Sequence, residues 1–149
     1  MGGVEDKLRQ GYGNDVGRWK GVSVVEGGRV VKVNWSDKGL KGNLTSEIGE
    51  LDGLSRLILG YNEKISSIPS EIGKLTSLTD LRLGENHLAD LPSELGNLRS
   101  LTNLILNTNR LSVLPSTLAN LSNLRALYLS SNNFTTDVPF DTTYNKEQV

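Results

Sequence analysis

The stretch Leu75–Asn97 reads LTSLTDLRLGENHLADLPSELGN, and Leu98–Asn120 reads LRSLTNLILNTNRLSVLPSTLAN. The two align without a gap at 23 residues. Working outward, Leu51–Lys74 (LDGLSRLILGYNEKISSIPSEIGK) is a third copy, with one extra residue after Asn62. Downstream, Leu121 opens a further copy, LSNLRALYLSSNNFTTDVP. Upstream, GRVVKVNWSDKGLKGNLTSEIGE aligns when Val30, Val33 and Trp35 take the three leading leucine positions and Leu40 the fourth. Five copies result, the first degenerate. Asn stands at one fixed place in four of them, as Asn62, Asn86, Asn109 and Asn132. Pro recurs at Pro69, Pro92 and Pro115, and Pro139 follows in the last copy. Self-similarity at a period of 20–50 residues is the signature of a stacked-repeat architecture.

Each repeat position has a physical reason. In Leu81-Arg82-Leu83 the alternation turns both leucines inward and Arg82 outward, as in a short strand. One repeat has too little core of its own, so it must bury its apolar face on its neighbours. The asparagines follow the strand, where the chain turns and its peptide groups need partners. Their amides are expected to bond backbone in adjacent repeats. Only copy one breaks this ladder, with Lys38 at an edge where a solvated side chain is tolerable. The return path carries Ile68-Pro69-Ser70-Glu71-Ile72-Gly73 and Leu91-Pro92-Ser93-Glu94-Leu95-Gly96. Pro fixes φ, Ser is read as a cap and Gly as a stop, which predicts short 3₁₀ or α turns.

The pattern L-x-x-L-x-L-x-x-N-x-L resembles the leucine-rich-repeat family from about Gly28 to Pro139. That resemblance implies an α/β fold: a leucine-rich-repeat solenoid, a right-handed coil with a parallel concave sheet and short 3₁₀ or helical convex turns. Copies three and four, with L-x-x-L-P, are similar to intracellular repeats of the plant Ras-group and Roco type. Copy one, with Leu40-Lys41-Gly42-Asn43-Leu44, is similar to plant extracellular and receptor-kinase repeats. The chain is a hybrid whose repeat style does not settle the compartment; the expected one is cytoplasmic, with an extracellular one left open. The expected organisation is an N-terminal cap over 1–29, five repeats over 30–140 and a polar C-terminal tail over 141–149.

A solenoid exposes its terminal core unless it is capped. Trp19-Lys20-Gly21-Val22-Ser23-Val24-Val25 resembles the end of plant-type N-terminal caps, but without their cysteines. Val22 to Val25 reads as an edge strand and Trp19 as a plug. Val4 to Gln10 is the only candidate remnant of the cap helix, and Gly11 to Gly17 reads as loop. At the far end, either Phe134 and Phe140 close the core or the array continues.

Composition limits the chemistry. The 149 residues include no cysteine and one histidine, and the formal net charge is -1. No disulfide, cysteine–zinc site or thiol nucleophile is available. The balanced charge gives no footprint for nucleic acid or an anionic membrane. The start, Met1 to Asp6, is polar, has no secretory apolar core and lacks the Ser or Thr of a myristoylation motif. No run of apolar residues is long enough for membrane insertion. His87 has no partner residues for a triad, and Glu47, Glu71 and Glu94 recur at repeat spacing as convex-side turn residues. Gly11-Tyr12-Gly13 lacks the Lys-Ser/Thr of a phosphate loop. The expectation is no enzyme, no metal and no cofactor.

Function is therefore sought on the outward strand positions. The central column is Asn34, Ile58, Arg82, Ile105 and Tyr128, and the column before it is Lys32, Arg56, Asp80, Asn103 and Ala126. The column after it is Ser36, Gly60, Gly84, Asn107 and Ser130. Three apolar residues in one exposed column read either as a binding strip or as β-propensity filling a sheet. Lys32, Arg56 and Arg82, with Asp80 and Asp37 near, admit a small anion site or a mixed protein-binding surface. The leading expectation is a monomeric scaffold binding a protein partner through Asn34, Ile58, Arg82, Ile105, Tyr128, Lys32, Arg56, Asp80 and Asn103. The family resemblance offers the alternative of a sensor domain in a longer receptor kinase or Roco-type signalling protein. Four N-x-S/T sequons occur, at Asn34, Asn43, Asn120 and Asn133, which chance alone produces in a chain this rich in Asn, Ser and Thr.

Overall fold

The computed structural model describes residues 21–24, 29–62 and 64–135. The expected Val4 to Gln10 helix, the loop Gly11 to Gly17, the Trp19 plug, Phe140 and the tail lie outside those residues.

Among the described residues eight short strands form: β1 (Val22–Val24), β2 (Val30–Asn34), β3 (Gly42–Asn43), β4 (Arg56–Ile58), β5 (Ile65–Ser67), β6 (Asp80–Arg82), β7 (Asn103–Ile105) and β8 (Ala126–Tyr128). The main sheet runs β1-β2-β4-β6-β7-β8. Its five repeat strands are parallel, and β1 joins as an antiparallel edge with Val22 opposite Val33. The edge strand expected from Val22 onward is thus present. A second sheet pairs β3 with β5 on the return path, where copy one carries its plant-style Leu40-Lys41-Gly42-Asn43-Leu44.

Stacking buries one leucine from each repeat at each level. Leu57, Leu81 and Leu104 are fully buried, as are Leu59, Leu83 and Leu106. Each such side chain contributes roughly 1.5–3 kcal/mol when removed from water. In the first repeat Val33 takes the place of Leu57 and is fully buried, while Trp35 takes that of Leu59 and is, like Leu40, partly buried against the core. At the other end Leu124, Leu127, Leu129 and Phe134 are only partly buried, because no further described repeat covers them.

The asparagine ladder forms as expected. Asn62 donates through Nδ2 to Trp35 O and Leu59 O, and its Oδ1 accepts from the Lys38 and Leu40 amides. Asn109 donates to Leu83 O and Leu106 O and accepts from the Leu88 amide. Asn132 repeats this with Leu106 O, Leu129 O and the Leu111 amide. Asn86 differs. Its Nδ2 bonds Leu59 O and Leu83 O, yet its buried Oδ1 has no partner among the described residues. The preceding copy is the one lengthened by a residue after Asn62.

A hydroxyl ladder runs beside it. Ser55 Oγ donates to Val31 O, Thr79 Oγ1 to Ser55 O and Thr102 Oγ1 to Thr79 O. Arg125 ends the row.

The convex turns are 3₁₀ helices over Ser46–Glu50, Ser70–Lys74, Ser93–Asn97 and Ser116–Asn120. Two expectations about them change. Pro69, Pro92 and Pro115, not the serines, hold the N-cap place, and no side chain caps there. Ser70 and Ser93 instead donate to Glu71 and Glu94. Nor does glycine end the turn. Gly73 and Gly96 sit inside it, pressed against the backbone of the next turn. The turn of copy one forms without proline, behind Thr45.

Just before each ladder position the backbone enters the left-handed region, at Asp37, Tyr61, Glu85, Thr108 and Ser131, with φ between 52° and 58°. That conformation costs an L residue roughly 1–2 kcal/mol, and β-branching aggravates it. Asn tolerates it better. Thr108→Asn is therefore expected to raise the unfolding free energy by about 1 kcal/mol, read by urea denaturation. An unchanged or lower midpoint would show that Thr108 is not strained.

Candidate functional site

The strand registers align the outward positions into rows. Lys32, Arg56, Asp80, Asn103 and Ala126 are successive Cα partners. So are Asn34, Ile58, Arg82, Ile105 and Tyr128. The alternation of each strand fixes this arrangement, because its buried leucine leaves the flanking residues on the other face.

A trough of about 740 Å³ crosses this face. Asn34, Ile58, Arg82, Ile105 and Tyr128 line it, together with Asn103. Lys32, Arg56 and Asp80 are not part of its lining. The far wall is built by Ser36, Gly60, Gly84 and Asn107, and by Tyr61 and Glu85 from the left-handed turn. Those last two were not singled out in the sequence. Their signal is the recurring slot before the ladder asparagine, whose positive φ places them at the trough. Tyr61 is the more exposed, at 65%.

Charge is arranged unevenly along the rows. Asp80 is only 3% exposed despite its outward position. Arg82 lies over it: Nε donates to both carboxylate oxygens, at 3.0 and 3.2 Å, and Nη2 to Oδ2 at 3.0 Å. This two-pronged pair holds the Arg82 guanidinium above its ordinary pKa, with desolvation opposing. Arg82 is thus neutralised by its neighbour. The three-cation anion site considered from sequence loses one of its members.

His87 lies on the rim turn, with Nε2 3.4 Å from Arg110 Nη2. Among the described residues no group of three or more His, Cys, Asp or Glu gathers as a metal site. No described helix is long and apolar enough to cross a membrane.

A family model described as Leucine rich repeat matches residues 77–134. A chain in the crystal structure of the BIR3–SERK2 complex from Arabidopsis thaliana is 30% identical, with a TM-score of 0.77. The match covers 85% of this chain and 70% of that one. The chain is a leucine-rich-repeat protein. Plant receptors are among its other relatives. Receptor-like protein kinase 7 of Arabidopsis thaliana is 37% identical over 67 residues, which is 44% of this chain and 7% of the kinase. The plant peptide hormone receptor RGFR1, solved in complex with RGF2, is 34% identical with a TM-score of 0.67. There the match covers 80% of this chain and 18% of the receptor. This leucine-rich-repeat chain spans under a tenth of the length of the curated receptor kinases it matches. With an extracellular compartment left open, the expected one was the cytoplasm. These relatives, named as receptors, give that compartment no support.

Proposed function

We propose that this leucine-rich-repeat domain is a non-catalytic recognition module that binds a protein or peptide partner through its concave face. The observation carrying this reading is the trough, which runs over rigid strands and is lined by Ile58, Ile105 and Tyr128 around Arg82. Clustered aromatic, aliphatic and Arg side chains on a preformed surface are where binding energy concentrates. Two solved relatives support it, RGFR1 in complex with RGF2 and the BIR3–SERK2 complex. The same kinship supports an extracellular setting over a cytoplasmic one.

An Arg82→Glu, Tyr128→Ala double variant should lose partners retained by the wild type in a pull-down, weakening binding by about tenfold or more. Partners held equally by both forms would remove the concave face from the reading.

Secretion has its own check. Asn43, Asn120 and Asn133 are exposed, whereas Asn34 is half-buried and bonded to Ser36. In material passed through a eukaryotic secretory pathway, mass spectrometry should find glycan on the exposed three and Asn34 bare. Glycan at Asn34, within the trough, would argue against a ligand site there.

A further inference from the structure

Two rows of opposite charge flank the trough as its rims, and of their residues Tyr61 and Glu85 also line it. On one side Lys32 and Arg56 stand as Cα partners on β2 and β4. On the other, Asp37, Tyr61 and Glu85 stack on successive repeats, tied by Asp37 N–H to Gly60 O, Tyr61 N–H to Gly84 O and Glu85 N–H to Asn107 O. None of these four charged groups forms an ion pair with a described residue. Asp80, which follows Arg56 in the cationic row, is paired with Arg82 from the central row, so these two charges balance each other. Both charged rims belong to repeats one to three. The remaining end is apolar and amide-lined, with Ile105, Tyr128, Asn103 and Asn107.

Dimensions select the occupant. Five parallel strands at about 4.8 Å span roughly 19 Å, the length of about six residues of extended chain. An extended backbone brings peptide groups that need partners. The Asn103 amide has none among the described residues, and Asn107 makes only a 3.4 Å contact to Thr108 Oγ1. In an extended chain successive side chains point to opposite edges. A peptide running across the strands would therefore present one edge to the cationic rim and the other to the anionic rim.

Resting on the recognition reading above, we infer that the trough takes an extended peptide of about six residues with a bipartite sequence. One half carries an acidic side chain, facing Lys32 and Arg56, and a basic one, facing Asp37, Tyr61 and Glu85. The acid and the base stand an odd number of residues apart. The other half is apolar and packs on Ile105 and Tyr128. The basic side chain gains both carboxylate attraction and the Tyr61 ring face.

A random peptide library displayed on phage and panned against the wild-type chain tests this. Enriched sequences should share the acid–base pair at odd spacing and an apolar opposite half. As synthetic peptides they should bind about tenfold more weakly to a Lys32→Glu, Arg56→Glu variant and several-fold more weakly to Asp37→Asn, Glu85→Gln. High salt should shrink both differences. Swapping the acidic residue of the peptide for a basic one should restore binding to the Lys32→Glu, Arg56→Glu variant. Thermal unfolding of each variant confirms that the fold is kept. Enriched peptides without charge bias, indifferent to both rim variants but lost on Arg82→Glu, Tyr128→Ala, would overturn this inference and leave the recognition reading standing. Peptides indifferent to that double variant, or no enrichment over an unrelated scaffold, would overturn both.

Discussion

Replacing Asn109 with leucine should lower the unfolding free energy by about 3 kcal/mol or more, although the new side chain is apolar and similar in size. Asn109 is buried between two repeats and serves four backbone groups: it donates to Leu83 O, Leu106 O and, at 3.4 Å, Asn107 O, and it accepts from the Leu88 amide at 3.0 Å. Leucine would orphan the Leu88 amide in an apolar setting, which costs roughly 1–3 kcal/mol. It would also strip one donor each from Leu83 O and Leu106 O, at about 1 kcal/mol per lost bond, although these carbonyls keep Asn86 and Asn132. Neighbouring repeats are coupled through this amide, so the loss falls on an interface rather than one repeat. Asn132→Leu makes the internal comparison. That residue has the same partners in kind but is only half-buried, so water replaces part of what is lost. Urea denaturation of both variants should rank Asn109 as the costlier. Equal small effects would mean that the ladder is decorative.

Gly96→Ala should destabilise by about 1–3 kcal/mol, a large effect for one methyl group on a convex turn. A Cβ at Gly96 would run into the Thr117 carbonyl oxygen and lie 2.7 Å from Thr117 Cβ. Gly73 stands in the same relation to Glu94, with its carbonyl oxygen at 2.6 Å. Backbone cannot swing aside as a side-chain tip would, so the two turns must separate and loosen the leucines beneath. The fourth turn carries Ala119 at this place, exposed, with no described turn stacked upon it. Ala119→Gly should consequently cost far less, about 1 kcal/mol at most, from backbone entropy alone. Calorimetric melting of the pair separates packing from conformational preference. A harmless Gly96→Ala would contradict the close stacking.

The contrast between these glycines and the leucines shows what a sequence discloses. Leu57, Leu81 and Leu104 announce their role because burial recurs at a fixed period, and the strand rows follow from alternation alone. Asparagine at 62, 86, 109 and 132 was legible for the same reason. Asp80 was not. Alternation tells which way its Cβ points but not that Arg82 would fold over it and take it out of water. Tyr61 and Glu85 escaped notice because a positive φ at a non-glycine residue leaves no mark in composition. The rows carrying Ile58, Ile105 and Tyr128 could be drawn beforehand. The trough they share with Gly60 and Gly84 could not, since its depth depends on how neighbouring repeats curve together.

The concave-face reading has a direct readout in the six isoleucines. Ile58 and Ile105 line the trough, whereas Ile48, Ile65, Ile68 and Ile72 belong to the core. With isoleucine δ1 methyls labelled, NMR spectra recorded as a bound peptide is titrated in should show the Ile58 and Ile105 signals moving and the other four nearly still. Movement of Ile48 and Ile72, behind the convex turns, with Ile58 and Ile105 unchanged, would place binding on the opposite face and contradict the account.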